Sequence, residues 1–177
     1  MNKRVFLAVN LPRETRKRIA SKLLALLPKK GVKPVSEENL HVTLSFLGYL
    51  PESAIKELVA SLEPLSEMPC FGMRLSGIGH FKHRVLWLGL EKGREELLEL
   101  NKKICDALGL KNEKFHPHVT LARNKFLGRK EFESLVSLLR GKEFSEEANA
   151  LSLDVMESML SPAGPAYSAL EKIKFKH

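Results

Sequence analysis

Two identical tetrapeptides, each reading His-Val-Thr-Leu, begin at His41 and His118. Side chains alternate between the two faces of a β-strand, so each histidine shares a face with the threonine two residues later, roughly 7 Å away. Two imidazoles that face one substrate form a general acid/base pair suited to neutral pH. The hydroxyls of Thr43 and Thr120 can donate hydrogen bonds to phosphate oxygens whose charge grows in the transition state. The motifs therefore predict opening of a strained cyclic phosphodiester by His41 and His118.

A matching set of secondary-structure elements surrounds each motif. Short β-branched and aromatic runs predict strands, and apolar residues at helical spacing predict amphipathic helices between them. In each half a strand and a helix precede the histidine, and a helix and a third strand follow it. We therefore predict a single α+β domain, residues 1–177, made of two related β-α-β-α-β units at roughly 1–80 and 81–177. These units form two lobes with pseudo-twofold symmetry that face each other across a central groove.

Arg123 follows the second motif, five residues after His118. A guanidinium matches the geometry of a phosphate and can hold it through paired hydrogen bonds. Strict strand alternation, however, puts Arg123 on the face opposite His118. Its assignment as a phosphate ligand therefore requires a bend in the strand.

The composition limits the classes of partner and of cellular context. The 177 residues carry a formal net charge of +8, which favours a polyanionic partner such as nucleic acid. Because no apolar stretch approaches the ~18–20 residues of a membrane span, we expect no membrane association. Cys70 and Cys105 form neither a Cys-x-x-Cys pair nor a disulfide framework. The apolar run after Arg4 is too short for a signal peptide, and we expect a cytoplasmic protein.

Five longer segments carry a family resemblance, and they follow one another along nearly the whole chain. They read RVFLAVNLP at the start, ENLHVTLSFLG around His41, RVLWLGL from Arg84, FHPHVTLAR around His118 and SPAGPAYSAL near the end. Within the third segment, Trp87 is predicted to pack in the core. In this order the segments resemble the 2H phosphoesterase superfamily, and specifically the RNA 2′,3′-cyclic phosphodiesterases, also called 2′–5′ RNA ligases.

The resemblance implies a bilobal α+β fold with His41 and His118 at its centre. It assigns Thr43, Thr120 and Arg123 to phosphate binding. It also implies that His41 protonates the leaving O3′ and His118 takes a proton from water, although the motifs alone leave the two roles interchangeable. The product is then a 2′-phosphate, formed without metal or cofactor. The implied partner is an RNA with a 2′,3′-cyclic phosphate end, transfer-RNA fragments being one candidate, and the internal duplication favours a monomer.

Two further residues are nucleotide-binding candidates. Phe46 matches a family position near the bound nucleotide and can stack on a base, with packing in the core as the alternative. His116 can point into the same groove as His118, although Pro117 marks a strand entry and favours a structural role for His116. Ser45 stands where many family members carry Arg, so RNA affinity or choice is expected to differ there.

Other interpretations of the histidines stay open. His80 and His83 are spaced as metal ligands can be, but no cysteine or carboxylate cluster accompanies them, so we predict a basic loop and no metal. A metallohydrolase using His41, His116 and His118 would lack carboxylate ligands near these residues. A non-catalytic RNA-binding protein with the same basic groove is the main alternative function. The same acid/base pair also permits the reverse reaction, 2′–5′ ligation.

Overall fold

Nine strands and four α-helices make up the described part of the computed structural model, which covers residues 2–111, 114–162 and 164–177. The strands are β1 (Lys3–Asn10), β2 (Val32–Pro34), β3 (His41–Leu50), β4 (Phe71–Phe81), β5 (Val85–Lys92), β6 (Val119–Asn124), β7 (Ser145–Ala150), β8 (Ser152–Ser161) and β9 (Gly164–Lys174). The helices are α1 (Arg13–Lys22), α2 (Glu52–Leu62), α3 (Arg94–Leu108) and α4 (Arg129–Arg140). The sequence analysis missed β7 because its sequence, SEEANA, lacks the β-branched residues typical of strands. None of the helices in the described ranges is both long enough and apolar enough to cross a bilayer.

The described strands form one antiparallel sheet in the order β7-β4-β5-β6-β3-β1-β8-β9, and β2 also pairs with β6. Within β1 the apolar side chains alternate, so that Val5, Leu7 and Val9 enter the main core while Phe6 and Ala8 lie on the opposite face. All four helices bury apolar side chains in the main core, although α1 contributes only one. The helical residues of this core are Ile19, Ile55, Leu58, Leu62, Leu97, Leu100, Ile104, Phe132, Leu135, Val136 and Leu139. The helices therefore cover one face of the sheet, and the histidines and threonines of the two motifs lie on the other.

Each half of the sequence contributes one strand that pairs with a strand of the other half. The motif-bearing strands β3 and β6 are neighbours at the centre. Strand β4 follows the first motif in sequence but pairs with β5, and β8 follows the second motif but pairs with β1. The sheet order is therefore symmetric about its centre, with β1, β8 and β9 equivalent to β5, β4 and β7. The predicted bilobal α+β fold is confirmed, and the repeat boundaries near residue 80 stay a prediction.

Candidate active site

The two motifs meet at the centre of the sheet, where β3 and β6 pair through the motif valines. Both valines are fully buried in the core. Because the strands are antiparallel, the adjacent register positions set His41 opposite Thr120 and Thr43 opposite His118. These four side chains are half-buried on the other face of the sheet. In regular antiparallel strands facing residues lie about 5 Å apart and alternate residues of one strand about 7 Å apart, so this register predicts a rectangle with the histidines on a diagonal.

Equivalent backbone contacts fix the protonation pattern of both imidazoles. Nδ1 of His41 lies 2.6 Å from the carbonyl oxygen of Asn39, and Nδ1 of His118 lies 2.6 Å from the carbonyl oxygen of His116. A carbonyl oxygen only accepts hydrogen bonds, so each Nδ1 carries a proton. Nε2 therefore carries a lone pair in the neutral imidazole and an acidic proton in the charged one. Oγ1 of Thr43 lies 2.8 Å from Nε2 of His41, and its hydroxyl donates to that lone pair.

Burial lowers the pKa of both histidines. For His41, desolvation is the largest cause, the carbonyl of Asn39 opposes it, and the positive charge of His118 lowers the pKa further. For His118, desolvation is again the largest cause and the carbonyl of His116 opposes it, while the charges of His116 and Arg123 add to the lowering. Both imidazoles are therefore mainly neutral at pH 7, the state in which Nε2 can accept a proton.

An irregularity in β6 turns Arg123 toward the histidines. Two consecutive residues of β5, Trp87 and Leu86, pair with Thr120 and Ala122 of β6, so β6 has one more residue than β5 at this point. The extra residue, Leu121, forms a β-bulge, and both Leu121 and Ala122 are fully buried. The alternation of faces slips by one position, so the exposed Arg123 lies on the same face as Thr120. The bend that the sequence analysis required is thus present, and the guanidinium charge acts on the pKa of His118.

The first motif carries an equivalent bulge. Two consecutive residues of β1, Ala8 and Leu7, pair with Thr43 and Ser45 of β3, so Leu44 is the extra residue. Phe46 then lies on the groove face and is 71% exposed. The alternative that Phe46 packs in the core is wrong. Within the symmetric sheet, Phe46 holds in the first half the position that Arg123 holds in the second half.

Aromatic rings line the groove beside His41. The ring centroid of Phe6 lies 5.2 Å from that of the imidazole, and the ring centroid of Tyr167 lies 5.4 Å from it. Phe46 continues this wall at 6.0 Å from Phe6. The sequence analysis gave Tyr167 no role, although it lies in the SPAGPAYSAL segment. Only the pairing of β8 with β1 brings the following strand, β9, within reach of His41.

A second group of rings surrounds His118. The ring centroid of Phe81 lies 5.0 Å from the imidazole, and that of Trp87 lies 6.2 Å from it. His116 packs on Trp87 at 4.9 Å, so this nucleotide-binding candidate does lie beside His118. The predicted burial of Trp87 in the core is wrong, because its half-buried ring lies on the groove face. Within the described ranges, Nε1 of Trp87 and Nδ1 of His116 are buried atoms without a hydrogen-bond partner.

Comparisons of the sequence with known proteins identify a family. A family model described as the 2′-5′ RNA ligase superfamily matches residues 11–158. A protein of Methanocaldococcus jannaschii named RNA 2′,3′-cyclic phosphodiesterase is 31% identical over 180 residues, covering 96% of this chain and 99% of its own. A protein of Thermotoga maritima with the same name is 32% identical over 184 residues, covering 98% of this chain and 96% of its own.

Solved structures share the fold. The crystal structure of TT0787 from Thermus thermophilus superposes with a TM-score of 0.77 at 28% identity, covering 98% of this chain and 100% of the other. The structure of Escherichia coli LigT complexed with 3′-AMP gives a TM-score of 0.80 at 24% identity and covers 100% of both chains. The family model and the relatives confirm the resemblance carried by the five sequence segments. The chain belongs to the 2′-5′ RNA ligase superfamily.

Proposed function

We propose that this chain hydrolyses RNA 2′,3′-cyclic phosphate ends to 2′-phosphates, with His41 and His118 as the acid/base pair. The observation that carries the proposal is the pairing of the two motifs at Val42 and Val119, together with the carbonyl that holds Nδ1 of each histidine. Continuing this register by one residue puts the two histidines diagonally across the strand pair. A cyclic phosphate between them has one imidazole near the attacking water and one near the leaving oxygen. The name shared by the relatives, RNA 2′,3′-cyclic phosphodiesterase, supports this substrate.

In the proposed reaction, Nε2 of His118 accepts a proton from water while the water oxygen attacks phosphorus. The bond between phosphorus and O3′ breaks, and protonated His41 delivers its Nε2 proton to O3′. The products are an RNA with a 2′-phosphate and a 3′-hydroxyl, a neutral His41 and a protonated His118. Proton exchange with solvent restores both starting states. The same pair catalyses 2′–5′ ligation when a 5′-hydroxyl attacks phosphorus in the place of water, because the P–O3′ bond then breaks in the same way.

Arg123 supports the assignment of His118 as the base. A bound phosphate anion raises the pKa of both imidazoles, because an opposite charge favours the protonated form. The positive charge of Arg123 opposes this rise at His118. The guanidinium charge therefore favours the neutral form of His118, which is the form that a general base requires.

The remaining groove residues are suited to hold a nucleotide. The hydroxyls of Thr43 and Thr120 and the guanidinium of Arg123 share the face of the histidines and can bind the phosphate oxygens. The exposed ring of Phe46 offers a stacking surface for the base, and His116 lies at the opposite wall. LigT, which has the same fold, is complexed with 3′-AMP in a solved structure, and this supports a nucleotide as the ligand of this chain.

We assign no metal and no cofactor to the reaction. Ring strain already positions O3′ as the leaving group, so acid/base catalysis and phosphate binding are sufficient. Across residues 2–111, 114–162 and 164–177, the group of His, Cys, Asp and Glu side chains with metal-ligand spacing is His80, His83 and Glu133. This group contains neither His41 nor His118. Hydrolysis should therefore continue in excess chelator.

One chain supplies both histidines and both threonines, so the site needs no second copy. We accordingly propose a monomer that acts on the ends of RNA, with transfer-RNA fragments as one candidate substrate. Its mass by light scattering should be near 20.0 kDa.

The test is product analysis on a short RNA ending in a 2′,3′-cyclic phosphate, in excess EDTA. Wild type should yield the 2′-phosphate, while His41→Ala and His118→Ala should each lose about 10²- to 10⁴-fold in rate. His177→Ala is the matched control, because His177 is exposed at the C-terminus and should leave the rate unchanged. Intact cyclic ends with wild type, or activity that requires added metal, would reject the proposal.

Binding measurements on the same proteins separate the enzyme from a non-catalytic RNA-binding protein. A pure binder would show no turnover in any variant. The enzyme should convert the cyclic end in the wild type, and the two alanine variants should still bind the RNA without converting it. Adding a second RNA with a 5′-hydroxyl to the wild type measures the balance between hydrolysis and ligation.

A further inference from the structure

The hairpin between β4 and β5 holds two histidines in a fixed arrangement. Lys82 and His83 adopt left-handed conformations, with φ of 48° and 56°. The side-chain amide of Asn124 donates to the carbonyl of His83 at 2.9 Å, which ties the hairpin to β6. The imidazoles of His80 and His83 consequently lie 4.4 Å apart, and both pack edge-on against Phe132 of α4.

Helix α4 supplies the carboxylate that the sequence analysis did not find near these histidines. Oε1 of Glu133 lies 3.4 Å from Nε2 of His80 and 2.5 Å from Nε2 of His83. One donor atom from each of the three residues lies within 4.8 Å of the others. The carboxylate comes 50 residues after His83 in the chain, so its position depends on how α4 packs on β4.

We infer that His80, His83 and Glu133 form a binding site for a divalent transition metal of the zinc type, separate from the catalytic pair. Two imidazoles and one carboxylate are ligands that zinc accepts in a tetrahedral site with one open position. Zinc bonds of about 2.0–2.2 Å put neighbouring tetrahedral donors about 3.4 Å apart. The pair formed by His80 and Glu133 already has this separation, and the pair formed by His83 and Glu133 must open by about 1 Å.

The metal-free arrangement shows how the site changes on loading. The backbone N–H of His83 donates to Nδ1 of His80 at 3.2 Å, so in the neutral ring the proton of His80 is on Nε2. Binding zinc through Nε2 moves that proton to Nδ1 and breaks this long hydrogen bond. His83 and Glu133 exchange their mutual hydrogen bond for bonds to the metal. All three side chains are partly exposed, which leaves a path for a metal from solvent.

The metal would fasten the hairpin to α4 close to the active site. Phe81 follows His80 in the sequence and precedes His83, and its ring centroid lies 5.0 Å from that of His118. A loaded site therefore restrains the wall that packs on His118 without contributing a group to the reaction. Its expected effect is on the stability of this hairpin, and the inference is independent of the proposed hydrolysis.

Isothermal titration of metal-stripped protein with zinc chloride tests the site. Wild type should bind one equivalent, and His83→Ala and Glu133→Gln should each weaken binding by at least about 100-fold, more than the 10- to 100-fold loss typical of mutating a residue that only supports a ligand. His177→Ala and the double variant His41→Ala/His118→Ala should bind as wild type does. Cobalt should give the visible absorption of a tetrahedral complex only with the protein variants that also bind zinc.

The outcomes separate this site from the catalytic groove. Absence of binding to the wild type overturns the inference, and so does binding that survives both His83→Ala and Glu133→Gln. Binding that is lost in the His41/His118 double variant would assign the metal to the groove and also overturn it. Circular dichroism checks that the variants fold, and the partly exposed helical position of Glu133 makes Glu133→Gln the variant least sensitive to misfolding.

Discussion

Replacing Arg123 with glutamine removes the positive charge that the bulge in β6 turns toward His118. The bound phosphate loses a charge-assisted hydrogen-bond partner, which weakens binding of the transition state. The pKa of His118 rises toward its ordinary value, because one of the charges that lower it is gone. The first effect reduces kcat/KM, and the second moves the pH optimum of kcat/KM upward.

The size of the first effect follows from the exposure of the guanidinium. Coulomb attraction between unit charges about 4 Å apart is about 4 kcal/mol at an effective dielectric constant near 20 and about 1 kcal/mol in water. A hydrogen bond to a charged group contributes about 1.5–3 kcal/mol. Because Arg123 is exposed and salt screens its charge, the lower estimates apply. At 1.36 kcal/mol per factor of ten, these lower estimates of about 1 to 1.5 kcal/mol correspond to a fall in kcat/KM of roughly 5- to 13-fold.

The assay measures kcat/KM against pH on a short RNA with a cyclic phosphate end. Arg123→Lys keeps the charge but loses the planar fork, so its pH optimum should stay while its kcat/KM falls. Lys130→Gln also lowers the net charge by one, but it lies exposed on α4 and should change neither quantity. An Arg123→Gln variant with normal kcat/KM, or with reduced kcat/KM and an unmoved optimum, would refute the argument that the bulge brings the guanidinium to His118.

The wild-type kcat/KM should peak below pH 6.5, because activity needs one proton shared by the two histidines and burial lowers the pKa of both. A peak near pH 8 would contradict this expectation. The peak of kcat should lie at higher pH, since the bound anion raises both pKa values. Gly79→Ala should reduce kcat/KM and shift the fluorescence of the sole tryptophan, because a Cβ there would come 2.2 Å from the Trp87 ring. Gly72→Ala on the same strand, where the nearest atom is the flexible end of Lys92 at 3.6 Å, should change neither signal.

The features predicted correctly from the sequence are those set by short-range patterns. Alternation in β1 and helical spacing in α2 locate the core-facing side chains, because burial selects apolar residues on one face. The repeated tetrapeptide predicts that His41 and Thr43 share a face, and the structure brings both motifs together on neighbouring strands. That adjacency follows from the duplication, since symmetric halves meet at equivalent strands.

The features missed depend on long-range packing. A β-bulge has no reliable signature in the residues themselves, so alternation alone put Arg123 on the wrong face. The groove position of Trp87 depends on its pairing with Gly79, which leaves room for the indole ring. Glu133 meets the hairpin histidines only because α4 packs beside β4. In each case the deciding contact joins residues that are far apart in sequence or in different elements.

The symmetry of the sheet also limits what the two histidines can do alone. His41 and His118 occupy equivalent places, and each uses the carbonyl two residues earlier to hold its Nδ1 proton. Such a pair cannot distinguish acid from base, because exchanging the lobes exchanges the roles. The distinction must come from positions where the repeats differ. The position turned into the groove by each bulge is one of them, since it carries Phe46 in the first half and Arg123 in the second. A nucleotide that stacks its base on Phe46 and directs its phosphate to Arg123 binds in one orientation, and that orientation determines which imidazole faces O3′.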